Sequence, residues 1–212
     1  MRSINNPSSR TSTPRAALAL ACMLALAGCA APGPQRSKAV ETTDEHGFVI
    51  TEEVRVSPEV RADFERAAQL LEQEQYDQGI ALMAKVAQRA PEATAAHIDL
   101  GIAYGKVGEV ELAEASIKRA LQLNPRHPVA HNELGMLYRR TGRFNEARGH
   151  YQQALSVYPG FHYARRNLAV LCDIYLADLE CALENYQRYA EAVPDDAEAA
   201  MWIADLRNRA GL

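Results

Sequence analysis

The chain has 212 residues, 48% hydrophobic and 24% charged, with a formal charge of −4. That length fits one domain or two small ones, and the net acidity argues against a general nucleic-acid binder, whose phosphate contacts need a basic surface. Four cysteines are too few for a disulfide-stapled miniprotein, and no unbroken apolar run reaches the roughly 18 residues of a transmembrane helix.

Residues 1–15 carry Arg2, Arg10 and Arg15 and no acid, and residues 16–27 read AALALACMLALA. A basic stretch, a short apolar stretch and a small-residue exit predict a secretory signal peptide over residues 1–28. The exit, Leu26-Ala27-Gly28-Cys29, resembles the lipobox of bacterial lipoproteins at all four positions. The resemblance implies cleavage before Cys29 and fatty-acyl chains such as palmitate on that residue. Each buried CH₂ contributes about 0.8 kcal/mol, so two or more chains anchor stably. Ala30 follows the cysteine where an Asp implies inner-membrane retention in related lipoproteins. The expected location is therefore the outer membrane, at its periplasmic face. Removal of residues 1–28 leaves 184 residues with formal charge −7.

Residues 29–57 form the expected tether. Residues 30–46 are polar, Pro-containing and unpatterned, the composition of a flexible spacer. Residues 47–56, GFVITEEVRV, alternate in part. This is the pattern of a short strand or of an extended strip docked on the first helix. With no evident strand partner, the docked strip is the expectation.

The remainder, residues 58–212, repeats with a period of 34. Leu100 and Leu134, Gly101 and Gly135, Tyr104 and Tyr138, Gly108 and Gly142, Ala113 and Ala147, Ala120 and Ala154, and Pro125 and Pro159 each stand in one register, with Pro91 a further period upstream. The pattern resembles the tetratricopeptide repeat, a helix–turn–helix unit with small residues at positions 8 and 20 and Pro at 32. The expected fold class is all-α: a solenoid of about four repeats, near 60–93, 94–127, 128–161 and 162–195, with a capping helix at 196–210. Helices are expected at 58–73, 77–89, 93–106, 110–123, 127–140, 144–157, 161–175, 179–192 and 196–210. Proline at or before a helix start costs little. The fourth repeat lacks the turn glycine and carries one extra residue, assigned to the turn Tyr175–Leu179.

There is no Gly-x-Ser-x-Gly, P-loop, dinucleotide fingerprint or His-Glu-x-x-His, so no cofactor, metal or catalytic residue is assigned. His97 and His131 occupy position 4 of their repeats and read as packing residues. Cys172 and Cys181 fall at adjoining ends of two antiparallel helices, where Cα separations near 5.5–6 Å are expected. A structural disulfide and two buried thiols both fit that placement.

In the family that the repeats resemble, the first helix of each repeat lines a concave groove. Carried onto this chain, that implies a lining of Phe64, Glu65 and Leu71, then Ile98, Asp99, Ile102 and Lys106, then Asn132, Glu133, Met136, Arg139 and Arg140, and last Tyr163, Arg166, Asn167, Val170 and Asp173. The best candidates to hold an extended peptide or a helix are Ile98, Ile102, Asn132, Met136, Arg139, Tyr163, Arg166 and Asn167. The expected role is a membrane-anchored, non-enzymatic scaffold for protein partners of the cell envelope, with pilus or secretion assembly the most specific form. An accessory role in a TonB–ExbB–ExbD system, an adaptor for peptidoglycan enzymes, and a periplasmic enzyme with a site in the groove are the alternatives.

Overall fold

The periodicity translates directly into helices whose ends are set by local chemistry. In the computed structural model, residues 40–43, 47–50, 54 and 56–211 are described. The expected signal peptide, Cys29 and the remaining tether positions lie outside them. Among the described residues there are nine α-helices: α1 (Pro58–Glu72), α2 (Tyr76–Arg89), α3 (Thr94–Val107), α4 (Val110–Leu123), α5 (Pro128–Arg140), α6 (Phe144–Val157), α7 (His162–Val170), α8 (Leu179–Ala192) and α9 (Ala197–Ala210). Ser57 caps α1, its hydroxyl accepting from the Val60 N–H, with Pro58 in the first turn. His127 caps α5, its Nδ1 accepting from the Ala130 N–H at 3.2 Å. These caps satisfy backbone donors that have no partner within a helix.

The helices pair within each repeat, and α1, α3, α5 and α7 also touch one another in sequence. They form the inner row, with α2, α4, α6 and α8 outside. Small residues let the two rows approach. A Cβ placed on Gly135 would lie 2.7 Å from the Tyr151 ring, so only glycine allows α5 to meet α6 there. Two apolar clusters fill the interior: one around Met83, Val86 and Leu100, the other running from Ile98 through Leu134, Tyr151 and Leu168 to Leu206.

Each repeat turns on one residue in the left-handed region. Gly108 (φ 85°) and Gly142 (φ 78°) hold that place in the middle repeats, and Glu74 (φ 60°) and Ala177 (φ 53°) hold it in the first and fourth. For residues with a Cβ this conformation costs about 1–2 kcal/mol. The extra residue of the fourth repeat, expected in the turn, lies instead in the helix. Leu171–Tyr175 continues α7 as a π-helical turn, with Leu176 N–H bonded to the Leu171 carbonyl at 3.1 Å. A wide turn of this kind takes up one surplus residue without breaking the helix.

The expectation of packing histidines at position 4 is refined. His97 Nε2 meets the Pro91 carbonyl at 3.2 Å and His131 Nε2 meets the Pro125 carbonyl at 3.0 Å. In the fourth repeat, Arg165 Nη2 donates to the Pro159 carbonyl at 3.3 Å. Each of these side chains staples the turn between repeats by binding the proline carbonyl six residues upstream.

The N-terminal expectation needs correction. Gly47–Ile50 (β2) is a strand with a partner, Val40–Thr43 (β1), paired antiparallel from Val40 opposite Ile50 to Thr43 opposite Gly47. The partner lies inside the stretch expected to be flexible, and it was missed because VETT carries a single large apolar residue. Docking holds further along: Val56 is half-buried and packs on the N-terminal cluster.

Candidate functional site

The groove candidates sit on the inner helices, where they divide between two cavities and the interior. Asn132 and Met136 on α5, with Tyr163, Arg166 and Asn167 on α7, line one cavity of about 550 Å³ together with Val129, Glu133, Tyr158, Phe161 and His162. Ile102 on α3 lines a second, of about 240 Å³, with Leu71, Tyr76, Asp99 and Lys106. Ile98 belongs to neither. It is 5% exposed and part of the interior cluster, which corrects its assignment: here position 5 is turned inward, against α4 and α5. At the same position of the next repeat, Asn132 is also buried but borders the cavity.

A polar seam crosses the floor of the larger cavity. Asn167 Nδ2 donates to Asn132 Oδ1 at 2.9 Å, and Asn132 Nδ2 donates to Glu133 Oε1 at 3.1 Å. The two amides fix each other's orientation between α5 and α7. Above them the walls are apolar or aromatic, and Tyr163 is 61% exposed. Apolar walls with a few placed polar groups are the usual composition of a binding site.

Two carboxylates face this inner surface from equivalent positions, Asp99 on α3 and Glu133 on α5. Burial pushes the Asp99 carboxyl up to about 6. Burial also raises Glu133, opposed by the Asn132 hydrogen bond and by the charges of Arg140 and Lys106. A carboxylate that has lost water without gaining a partner holds its proton more tightly.

The arginines at the other end of the groove rest on rings. The Arg166 guanidinium lies 5.1 Å from the Trp202 ring centre, and that of Arg139 lies 5.9 Å from Tyr175. Arg139 lies outside the larger cavity, at the seam between α5 and the π-helical turn. Its Nε is buried, as is the hydroxyl of Tyr151, and neither makes a well-formed hydrogen bond among the described residues. Burial lifts Tyr151 to about 12, against the opposing charge of Arg139. Tyr186 is raised to about 12 as well, by burial first and then by Asp173, with Arg166, Arg139 and Arg209 opposing. This cationic-aromatic corner escaped the sequence reading. Trp202 belongs to the cap and Tyr175 to the irregular turn, so no repeat register brings them to Arg166 and Arg139.

Cys172 and Cys181 are joined as a disulfide, with Cα atoms 5.9 Å apart. The bridge ties the π-helical turn to the start of α8. Arg148 binds Asp178, whose carboxylate also caps α8 through the Cys181 N–H at 3.1 Å. Asp173, in the same turn, accepts from Arg209 of α9 at 2.8 Å. The wall of the groove at its C-terminal end is thus pinned from three sides. Cys172, Asp178 and Cys181 bring ligand-type atoms together, but with both sulfurs in the bridge neither is a thiolate for a metal.

Residues 91–160 match the family model described as tetratricopeptide repeat. The solved structures extend the likeness across the solenoid. PilF of Pseudomonas aeruginosa is 20% identical, with a TM-score of 0.65 over 71% of this chain and 68% of that one. The tetratricopeptide protein TTC0263 of Thermus thermophilus is 23% identical, with a TM-score of 0.62 over 69% and 80%. MamA (41-end) of Desulfovibrio magneticus is 15% identical, with a TM-score of 0.64 over 74% and 88%. No curated protein matches the chain. At these identities the likeness establishes the fold, a tetratricopeptide-type helical solenoid, an architecture whose stacked units build extended concave binding surfaces. No helix among the described residues is long and apolar enough to cross a membrane.

Proposed function

We propose that the chain is a lipid-anchored interaction scaffold of the cell envelope, holding a protein partner in the groove of its inner helices and assisting the assembly or action of a multiprotein machine of pilus or secretion type. The observation that carries this reading is the cavity between α5 and α7, where five of the eight candidate residues meet an aromatic wall and an ordered amide pair. The lipobox at Cys29 supports the anchor. Confinement to a membrane raises the effective concentration of the scaffold for any partner on the same surface. Tethering and capture by a preformed groove need no catalytic group.

Two measurements test the reading. Cells fed labelled palmitate should place the label on the wild-type chain in the outer-membrane fraction, and Cys29→Ser should lose both label and fraction. Envelope partners that copurify with the wild type should be lost from Met136→Glu/Tyr163→Glu, which charges the cavity wall. Unlabelled wild-type protein rules against the anchor, and unchanged copurification rules against the groove.

A further inference from the structure

Asp99 and Arg166 put opposite charges at the two ends of the groove, and neither makes a direct ion pair among the described residues, although the Asp196 carboxylate lies within electrostatic reach of Arg166 while accepting from the Tyr189 hydroxyl. At the α3 end, no ion pair or hydrogen bond reaches Asp99, which is half-buried beside the smaller cavity, with Lys106 exposed at the rim. At the α7 end, Arg166 is exposed over Trp202 and forms no ion pair with a carboxylate. Of the other two arginines set on rings among the described residues, Arg139 over Tyr175 forms no ion pair, whereas Arg143 binds acids. Arg143 lies 3.8 Å from the Tyr138 ring centre and pairs with both Glu114 and Glu146. Arg166 has the ring without the acid. The ring orients its guanidinium and leaves its fork of donors open to a planar anion. A carboxylate kept half-dry without a cation, and a guanidinium kept oriented without an anion, are complementary to a ligand that brings both charges.

We propose that the groove recognises a bipolar segment of its partner, with a cationic side chain at Asp99, an anionic side chain at Arg166, and the residues between them laid across α5 and the Asn132–Asn167 pair. This rests on reading the groove as the partner-binding surface. The spacing follows from the solenoid. Packed helices stand about 8–10 Å apart, so α3 and α7, two steps apart, are separated by about 16–20 Å. An extended chain advances about 3.3 Å per residue. The two charges of the ligand are therefore five or six residues apart. The opposed ends also set the direction in which the segment lies.

The test uses the full chain in a non-ionic detergent and fluorescein-labelled synthetic peptides, read by fluorescence anisotropy. The set holds a peptide with one Lys and one Glu separated by five neutral, partly apolar residues, made in both orders, and versions with Lys alone, Glu alone, Lys at both ends, no charge, or one Lys and one Glu one residue apart. One order of the widely spaced bipolar peptide should bind at least tenfold more tightly than every other member at low ionic strength, and added salt should shrink the advantage. Asp99→Asn and Arg166→Gln should each reduce its affinity to that of a singly charged peptide. Arg166→Glu should transfer the preference to a peptide with Lys at both ends, a reversal that a purely structural role does not produce. Melting curves of the variants confirm that they fold. Equal binding of the neutral and bipolar peptides overturns the charge rule while leaving a peptide-binding groove. Failure of every peptide to bind overturns the charge rule too, and the copurification experiment then decides the groove reading separately.

Discussion

The second and third repeats and the fourth repeat solve the same folding problem in different ways. The middle repeats turn on Gly108 and Gly142, and their helices close over small residues. The fourth places Ala177 at the left-handed position, takes its surplus residue into a π-helical turn, and bridges the turn with Cys172–Cys181. The irregular solution gives something the regular one lacks. It moves Asp173 onto Arg209 of the cap and Tyr175 beneath Arg139, and so builds the cationic-aromatic end of the groove. Regular repeats supply the frame, and the departure from regularity supplies the chemistry.

The largest way to break the comparison is in the middle. Tyr151 is fully buried against Gly135, and Tyr151→Ala should cost about 3–5 kcal/mol through the cavity it leaves. Denaturant unfolding measures this, and a loss under 1 kcal/mol would show that the α5–α6 contact is not the anchor of the frame. In the fourth repeat, Cys172→Ala/Cys181→Ala opens a short loop and should cost about 2–3 kcal/mol. Hydrogen exchange should rise in Leu171–Ala192 and stay unchanged in α3 and α4. The comparison is sharpened by Ala177→Gly, which gives the fourth repeat the turn residue of its neighbours. It should gain about 1 kcal/mol, seen as a higher unfolding midpoint with an unchanged denaturant slope.

pH dependence tests the middle repeats through the His131–His150 pair. His131 Nε2 donates to Pro125, which leaves its Nδ1 to accept from His150 Nδ1 at 3.0 Å. Protonating His131 sets two N–H groups face to face. Burial, then the charge of His131, holds His150 down to about 4, against an ordinary 6.5. Glu146 favours its charged form, while Lys118 and Arg143 oppose it. The unfolded chain therefore takes up the proton first, and stability should fall as pH drops from about 6.5 toward 4. Melting temperatures over that range should show a steeper loss for the wild type than for His150→Gln, and parallel curves would exclude the pair as the cause.

The frame was legible because its cause is periodic. Small residues, turn glycines and prolines recur every 34 positions, and the helix ends they imply agree with the structure within one residue, taking α7 and its π-helical turn together. What escaped was not periodic. Ile98 and Asn132 share a register position, yet one packs inside and the other borders a cavity, because burial depends on the neighbouring helix as well as on the position. The proline staple made by His97, His131 and Arg165 was hidden because two residue types do one job. The surplus residue was visible, but its place was not, since a turn and a π-helical segment absorb it equally well in sequence. Trp202 lies in the stretch expected as the capping helix, and its place under Arg166 appears only when α7 and α9 are brought together.

The account stands on the groove being the working surface of the scaffold. The most direct test is in-cell photocrosslinking, with a photoreactive residue placed in turn at Tyr163 and Arg166 in the groove and at Arg119 and Gln122 on the outer helix α4. The account predicts that the groove positions capture one dominant envelope protein and that the outer positions do not. Capture of that protein through α4, with none at Tyr163 or Arg166, would contradict it.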